Sequence, residues 1–475
     1  MAEKNFYVTT PIFYPNANLH LGHAYVTTLT DVIARYHRLV GDTTYFLTGS
    51  DENTQKILSA AADAGVTPQQ FLDDKVEGFE NLFKQLNISY DQFIRTSDEK
   101  VHWPGAVALW KKLDAAGDLY KKQYEGLYCV GHEAFITEKD LVDGACPDHG
   151  TAPERIQEEN YFFKLSKYTQ TIKTKIESGE LCIIPESRRH EILSLLAEGL
   201  QDVSFSRPRT PMSVGIPVPG DTTQVMYVWC DALSNYITAL GYGQDETLYK
   251  TFWPANVHII GKDILRFHAA MWPAMLLSAG EPLPKSILVH AMILSGGRKM
   301  SKTLGNIIDP QELLQEYGTD AVRYFLARHI SPFEDGDITR EHFKDAYNAD
   351  LANGLGNLVA RIMQLAQTHL SAPVELEYKP FPKEYTDAFE RFEINKAADH
   401  VWGRIQALDQ KITEMAPFKV VKEDEEKGRG IIIELVVELA CIDQMLEPIM
   451  PQTSKKIIDA IMTNKKPENL FPRKE

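Results

Sequence analysis

The chain reads as an α/β protein built on a parallel sheet, interrupted by a β-rich insertion and followed by a helical end. Three observations predict this. A strand, a turn, an amphipathic helix and a second strand open the chain, which is how a parallel sheet begins. From about Tyr120 to Val225 short β-like pieces alternate with turn-rich stretches such as Pro208-Arg209-Thr210-Pro211 and Pro217-Val218-Pro219-Gly220. Beyond about Asn306 apolar residues recur at helical spacing to the end.

Taken in order, residues 6–14 form a buried strand that ends in a turn at Pro15-Asn16-Ala17-Asn18. Helical spacing runs from about Leu21 to Leu39, and a second strand, Thr43 to Thr48, ends at Gly49-Ser50-Asp51-Glu52. Ligands of such a sheet sit beyond the carboxyl ends of its strands, where His20, His23 and Asp51 all fall. The α/β pattern resumes with Val225 to Trp229. A strand Val257 to Ile260 then ends at Gly261-Lys262-Asp263, and another, Ser286 to His290, leads toward Gly296-Gly297. Apolar stripes in the helical part span Leu351 to Leu370 and Ile431 to Leu446. The plan is therefore a Rossmann-like domain in two halves, 1–118 and 226–305, split by an insertion at 119–225. A linker region at 306–350 joins it to a helical bundle at 351–475.

A chain of 475 residues suffices for two to four domains, and no apolar run approaches the roughly 20 residues that span a bilayer. Met1 to Asn5 passes straight into strand-like sequence with no basic-apolar-small signal pattern. With five scattered cysteines, this predicts a reducing, cytoplasmic setting. The formal charge of −16 argues against indiscriminate nucleic-acid binding but leaves room for a specific RNA partner through local patches. Residues 451–475 carry six basic and three acidic side chains and read as a solvated tail.

Two distant segments carry the chemistry. His20-Leu21-Gly22-His23 places two imidazoles where a loop enters a helix, and Lys299-Met300-Ser301-Lys302-Thr303 places two ammonium groups after the Gly296-Gly297 hinge. Neither matches the phosphate-binding loop that ends in Gly-Lys-Ser/Thr. Imidazole donors at a helix start, with lysines that close over them, suit charge build-up on a polyphosphate. The reaction expected is nucleotidyl transfer at an α-phosphate, with His20, His23, Lys299 and Lys302 as catalytic residues. Gly22 lets the nucleotide approach the backbone.

Cys129-Val130-Gly131-His132 and Cys146-Pro147-Asp148-His149 are matched Cys-x2-His hooks in a chain with only five cysteines and fourteen histidines. Two thiolates and two imidazoles suit tetrahedral Zn²⁺ with no open position, so the predicted role is structural. Cys182, Cys230 and Cys441 have no matching partners in sequence and read as packing residues.

The histidine and lysine segments resemble the signature motifs of class I aminoacyl-tRNA synthetases, and the chain resembles the methionyl-tRNA synthetases over essentially its whole length. Supporting residues are Pro11-Ile12-Phe13-Tyr14, Gly49-Ser50-Asp51-Glu52, Tyr227-Val228-Trp229-Cys230-Asp231-Ala232, Ile259 to Ile264 with Phe267-His268, and Asn353 to Arg361. Thr303 stands where the family usually has Ser, and His132 where Cys is more frequent. The resemblance implies a methionine pocket of Ile12, Tyr14, Asp51, Trp229, Leu233, Tyr236, Ile264 and His268, with Asp51 on the ammonium group. On spacing alone Trp229 and Tyr236 read as core packing; their place relative to the family motif is what assigns them here. It further implies ATP contacts from His20, Gly22, His23, Gly261, Asp263, Lys299 and Lys302, with Mg²⁺ accompanying the ATP. Arg207 is a weaker candidate for the reacting carboxylate or phosphate.

For the helical end the resemblance implies an anticodon-binding domain, with tRNA(Met) as partner. Asn357 and Arg361, at i and i+4, would reach the same anticodon loop. Phe418 in Met415-Ala416-Pro417-Phe418 stands where the family commonly offers Trp; it can stack on a base, with core packing as the alternative. The length leaves no room for the dimerisation domain some relatives append, so a monomer is expected.

Overall fold

Six parallel strands form the central sheet of the computed structural model, which describes residues 4–129, 134–136, 138–147, 150–209, 214–299, 308–376 and 379–475. In chain order they are β1 (Asn5–Thr9), β2 (Thr43–Ser50), β3 (Gln92–Arg95), β4 (Cys182–Ile184), β5 (Val257–Gly261) and β6 (Ser286–His290). In space they lie β3-β2-β1-β5-β6-β4, all neighbours parallel. The order reverses between β1 and β5, the place where such sheets open a crevice beyond their carboxyl ends.

Both faces of the sheet are covered, and side chains alternate between them with the period of two that a strand imposes. Val8, Phe46, Ile259 and Leu288 join the core shared with helix α1 (Leu21–Leu39) and the helical end. Tyr7, Leu47, Ile260, Ile287 and Val289 join a second core on the other face, with helix α2 (Val228–Thr238). β4 lies inside the insertion predicted at 119–225, yet it pairs with β6 and completes the edge of the main sheet. That predicted boundary divides the chain but not the sheet, because a strand of three residues does not stand out from its β-rich surroundings. The rest of that segment includes a four-stranded antiparallel sheet containing Leu119–Cys129, Ala134–Ile136, Glu154–Phe163 and Val203–Ser204.

Helix α1 is buried along most of its length because the sheet covers one side and helices α3 (Thr319–Arg328) and α5 (Ile394–Met415) pack on the other. Its buried hydroxyls are satisfied locally: Thr27 donates to His23 O at 2.8 Å and Thr30 to Val26 O at 2.7 Å. Asp31 meets Arg323 of α3 at 2.7 Å, both fully buried, and Arg35 at 2.7 Å. Arg323 also donates to the carbonyls of Leu86, Pro448 and Ile449. One guanidinium thus ties α1 and the segment before β3 to the helical end.

Helix α4 (Asn357–His369) continues from a π-helical run, Tyr347–Gly356, and packs with α5 and α6 (Glu425–Leu446). The terminal region is not the solvated tail expected from its charge. Pro451–Thr463 is a helix, Phe471 is buried, and the chain beyond docks on the π-helical run through Tyr347 Oη to Pro472 O and Asn348 Nδ2 to Lys474 O. Apolar residues between the charges (Ile457, Ile461, Phe471) outweigh the charge count. Among the described residues no helix is long and apolar enough to cross a membrane.

Candidate active site

Residues 11–14 run beside the end of β2: Phe13 N–H donates to Gly49 O at 3.0 Å, and Asp51 N–H to Phe13 O at 3.0 Å. Gly49 is required there, since a Cβ would stand 2.1 Å from Ile94 O on β3. The pairing brings Ile12, Tyr14 and Asp51 to one rim of a cavity of about 370 Å³ beyond the strand ends. All eight residues predicted for the methionine pocket line this cavity, as do His20, Gly22, His23, Gly261 and Asp263. Asp51 is buried.

The two histidines form a reciprocal cap on α1. His20 Nδ1 accepts from Gly22 N–H at 3.0 Å, and His23 Nδ1 accepts from His20 N–H at 3.1 Å. A neutral ring that accepts at Nδ1 carries its proton at Nε2, so the cap fixes both imidazoles as Nε2–H donors. Burial, with His20 and His290 close by, holds His23 well below the ordinary imidazole range and keeps it neutral. Gly22 has a second reason to be glycine: a Cβ would meet His20 Cε1 at 2.8 Å and push the capping ring away.

The apolar wall comes from α2 and from a one-turn π-helix, Phe267–Met271. Trp229 stacks on Phe267 with centroids 3.8 Å apart, and His268 meets Tyr236 edge-on. Ile264 O can only accept, so His268 Nδ1–H donates to it at 3.0 Å; Nε2 then accepts from Tyr236 Oη at 2.7 Å. Burial pushes the His268 imidazole down to about 4, against the raising effect of its bond to Ile264 O. Behind it the buried His258 lies 2.8 Å from Thr9 Oγ1 and stacks near Tyr236. The wall therefore presents rings and neutral polar groups.

The structure brings together fewer of the remaining candidates. Lys299 closes the short strand Arg298–Lys299, paired to Ile293–Ser295; Lys302 lies outside the described residues, as do His132 and His149. Cys129 ends a strand and Cys146 follows a Val142–Ala145 bridge; each is 1 % exposed. Among the described residues no group of three or more metal-ligating side chains converges. Arg207 does not line the cavity: it pairs with Glu158 and lies over the Tyr128 ring at 4.1 Å. In the helical end Asn357 is exposed at the start of α4, and Arg361, one turn on, pairs with Asp409. Phe418 is 46 % exposed, which removes the core-packing alternative.

Sequence reasoning missed several lining residues: Pro11, Phe13, Val26, Ala232, Asn235, Lys262 and the run His290 to Ile293. His290 ends β6 as His20 and Asp51 follow other strands, and that position was the available signal. Its Nδ1–H donates to Ala291 O at 2.8 Å, which leaves Nε2 an acceptor near Gly261. Burial lowers its pKa.

A family model for class I tRNA synthetases (M) matches residues 6–155 and 148–363. The chain is 43 % identical over 472 residues to the methionine--tRNA ligase of Clostridium acetobutylicum, covering 96 % of this chain and 73 % of that one. It is 39 % identical over 483 residues to that of Thermotoga maritima, covering 97 % and 76 %. Among solved structures it superposes with TM-score 0.89 and 37 % identity on Mycobacterium tuberculosis methionyl-tRNA synthetase in complex with methionyl-adenylate, covering 96 % of this chain and 93 % of that chain.

Proposed function

The chain belongs to the class I tRNA synthetases of the methionine type, and on that premise we propose that it activates L-methionine with ATP and passes the methionyl group to the 3′ end of tRNA(Met), releasing AMP and pyrophosphate. The observation that carries the reading is a cavity lined together by an aromatic wall, a buried carboxylate and a pair of helix-capping imidazoles.

In this reading the thioether lies against Ile12, Tyr14, Trp229, Leu233, Tyr236, Ile264 and His268, where sulfur–aromatic contacts favour it over a plain aliphatic chain. Asp51 takes the ammonium group, which cannot be buried without a carboxylate. The amino-acid carboxylate then attacks the α-phosphate and pyrophosphate leaves in line. His20 and His23 donate from Nε2 to the phosphate oxygens, reinforced by the positive end of the α1 dipole. Gly261 and Asp263 meet the ribose, and a Cβ at Gly261 would fill the space beside Asp263 Oδ1 at 2.7 Å. Lys299 and Lys302 complete the charge on the departing pyrophosphate. Mg²⁺ supplies further phosphate charge neutralisation when bound with ATP. Asn357, Arg361 and Phe418 belong to the anticodon surface; an exposed ring and a guanidinium held only by a part-exposed carboxylate are available to unstacked bases.

A structural Zn²⁺ is part of the proposal, held by Cys129, His132, Cys146 and His149. The buried sulfurs of Cys129 and Cys146 and the tight turn from Cys146 O to Gly150 N–H, 2.7 Å, fit a thiolate knuckle. The same reading takes the chain as a cytoplasmic monomer. Pyrophosphate exchange across a panel of amino acids tests the specificity: methionine alone should drive it, and stimulation by leucine or cysteine instead would overturn the assignment.

A further inference from the structure

The loop that carries Asp51 is gripped from behind by side chains that do not line the cavity. Asn53 Nδ2 donates to Thr96 O at 2.9 Å and to Asp231 Oδ2 at 2.7 Å. Asp231 Oδ1 lies 2.5 Å from His102 Nε2, and His102 Nδ1 lies 2.7 Å from Thr238 Oγ1. Asn53, Asp231, His102 and Thr238 are all buried. Asp231 and Thr238 sit on α2, the helix that also presents Trp229, Leu233 and Tyr236 to the cavity. A continuous polar path thus joins the Asp51 loop to the helix of the thioether wall.

A buried polar network of this kind adds little stability over well-packed apolar side chains, but it holds a defined geometry. We propose that Asn53, Asp231 and His102 are positioning residues for amino-acid recognition: they set the place of the Asp51 carboxylate relative to α2, and so the span between the ammonium site and the thioether wall. The proposal rests on the methionine reading given above. Asp51 cannot drift along the loop while Asn53 is held on both sides, and Asp231 cannot turn toward solvent while His102 backs it. A carboxylate fixed in advance loses nothing in reorganisation when the ammonium arrives.

The test compares L-methionine with 4-(methylthio)butanoate, which keeps the thioether and carboxylate but lacks the ammonium. Inhibition or dissociation constants are measured for the full chain and for Asn53→Ala and Asp231→Asn. Asn53→Ala leaves the His102–Asp231 pair in place, so a folding failure of Asp231→Asn does not end the experiment. Methionine should weaken by about tenfold or more while the desamino compound and ATP stay within about twofold. In an Asp51→Asn background, Asn53→Ala should cost under about twofold, because its effect runs through Asp51. Equal weakening of methionine and the desamino compound, a full repeat of the loss in the Asp51→Asn background, or unchanged methionine binding would each overturn the positioning role. If the unaltered chain shows no methionine-dependent pyrophosphate exchange, the functional reading fails and this proposal with it.

Discussion

Acidification from about pH 7.5 to about pH 5.5 should loosen the fold while leaving the amino-acid pocket intact, because of one buried ring. His268 is held neutral at about 4, against 6.5 for an ordinary imidazole. The sign follows from proton counting. Below pH about 6.5 the unfolded chain binds a proton at this residue and the folded chain does not, so stability is complete above that value and falls as pH drops toward the folded value. Across this window His268 contributes on the order of 1 kcal/mol of lost stability per pH unit. His23, His258 and His290 are lowered by burial too, and act in the same direction. Asp443, raised by burial, takes up its proton in the folded state and acts the other way. The difference between the native chain and His268→Gln isolates His268 together with the part of the His258 shift that His268 causes. Guanidinium unfolding should show the variant's stability slope shallower by about half a proton near pH 6.5, approaching one proton at about pH 5.5. Calorimetric titration should show methionine affinity flat, since the ligand's own charges do not change there and His268 has both nitrogens committed to Ile264 O and Tyr236 Oη. Methionine affinity that falls with a midpoint near pH 6.5, or identical slopes for the two proteins, would refute the reasoning.

Three other outcomes follow. Gly22→Ala should displace the His20 ring and lower pyrophosphate exchange by about tenfold to a hundredfold, while loss of the cap costs only about 1 kcal/mol in denaturant unfolding. Arg361→Ala should reduce tRNA charging far more than exchange and barely move stability, since an ion pair as exposed as Arg361–Asp409 contributes under about 1 kcal/mol. Equal losses in the charging and exchange assays would count against an anticodon role. Cys146→Ser should lose bound zinc by elemental analysis with the chain otherwise folded; a metal-free native protein would retire the knuckle.

What was legible in the sequence was what local pattern encodes. Strand runs such as Ser286 to His290, the helix Leu21–Leu39 and the glycine-marked strand ends could be placed from periodicity and turn chemistry. So could Asp51, which follows β2, although Lys262 and Ala291, just after β5 and β6, went unread. β4 was not legible, because three residues show no periodicity and its partner β6 lies a hundred residues away in sequence. Nor was the docking of Phe471, which depends on a surface built by the π-helical run. The cap formed by His20 and His23 was half visible: two histidines at a helix start suggested donors, but only coordinates fix Nδ1 as the acceptor and hence Nε2–H as the donor. The His102–Asp231–Asn53 path was hidden altogether, since its members come from three separate segments and none carries a local signature.

The two halves of the proposed phosphate site differ in how they are held. The imidazole half belongs to α1, whose middle is fastened by Asp31 to Arg323, and Arg323 cannot shift without giving up that ion pair and three carbonyl contacts. His23 precedes Asp31 by eight residues, about 12 Å along a rigid helix, so the imidazoles are anchored to the helical end. The base of the lysine half is attached more lightly. Gly296 and Gly297 sit at φ 62° and 70° with nothing within 4 Å of where a Cβ would be, and Gly297 N–H meets exposed Asp337 at 3.0 Å. A buried ion pair with three added hydrogen bonds costs several kcal/mol to break, whereas the Gly297 bond and the two-residue pairing of Arg298–Lys299 with Leu294–Ser295 contribute about 1 kcal/mol or less per hydrogen bond. In the proposed reading, movement of Lys299 toward the site turns at Gly296 and Gly297, while the Nε2–H donors on α1 stay fixed.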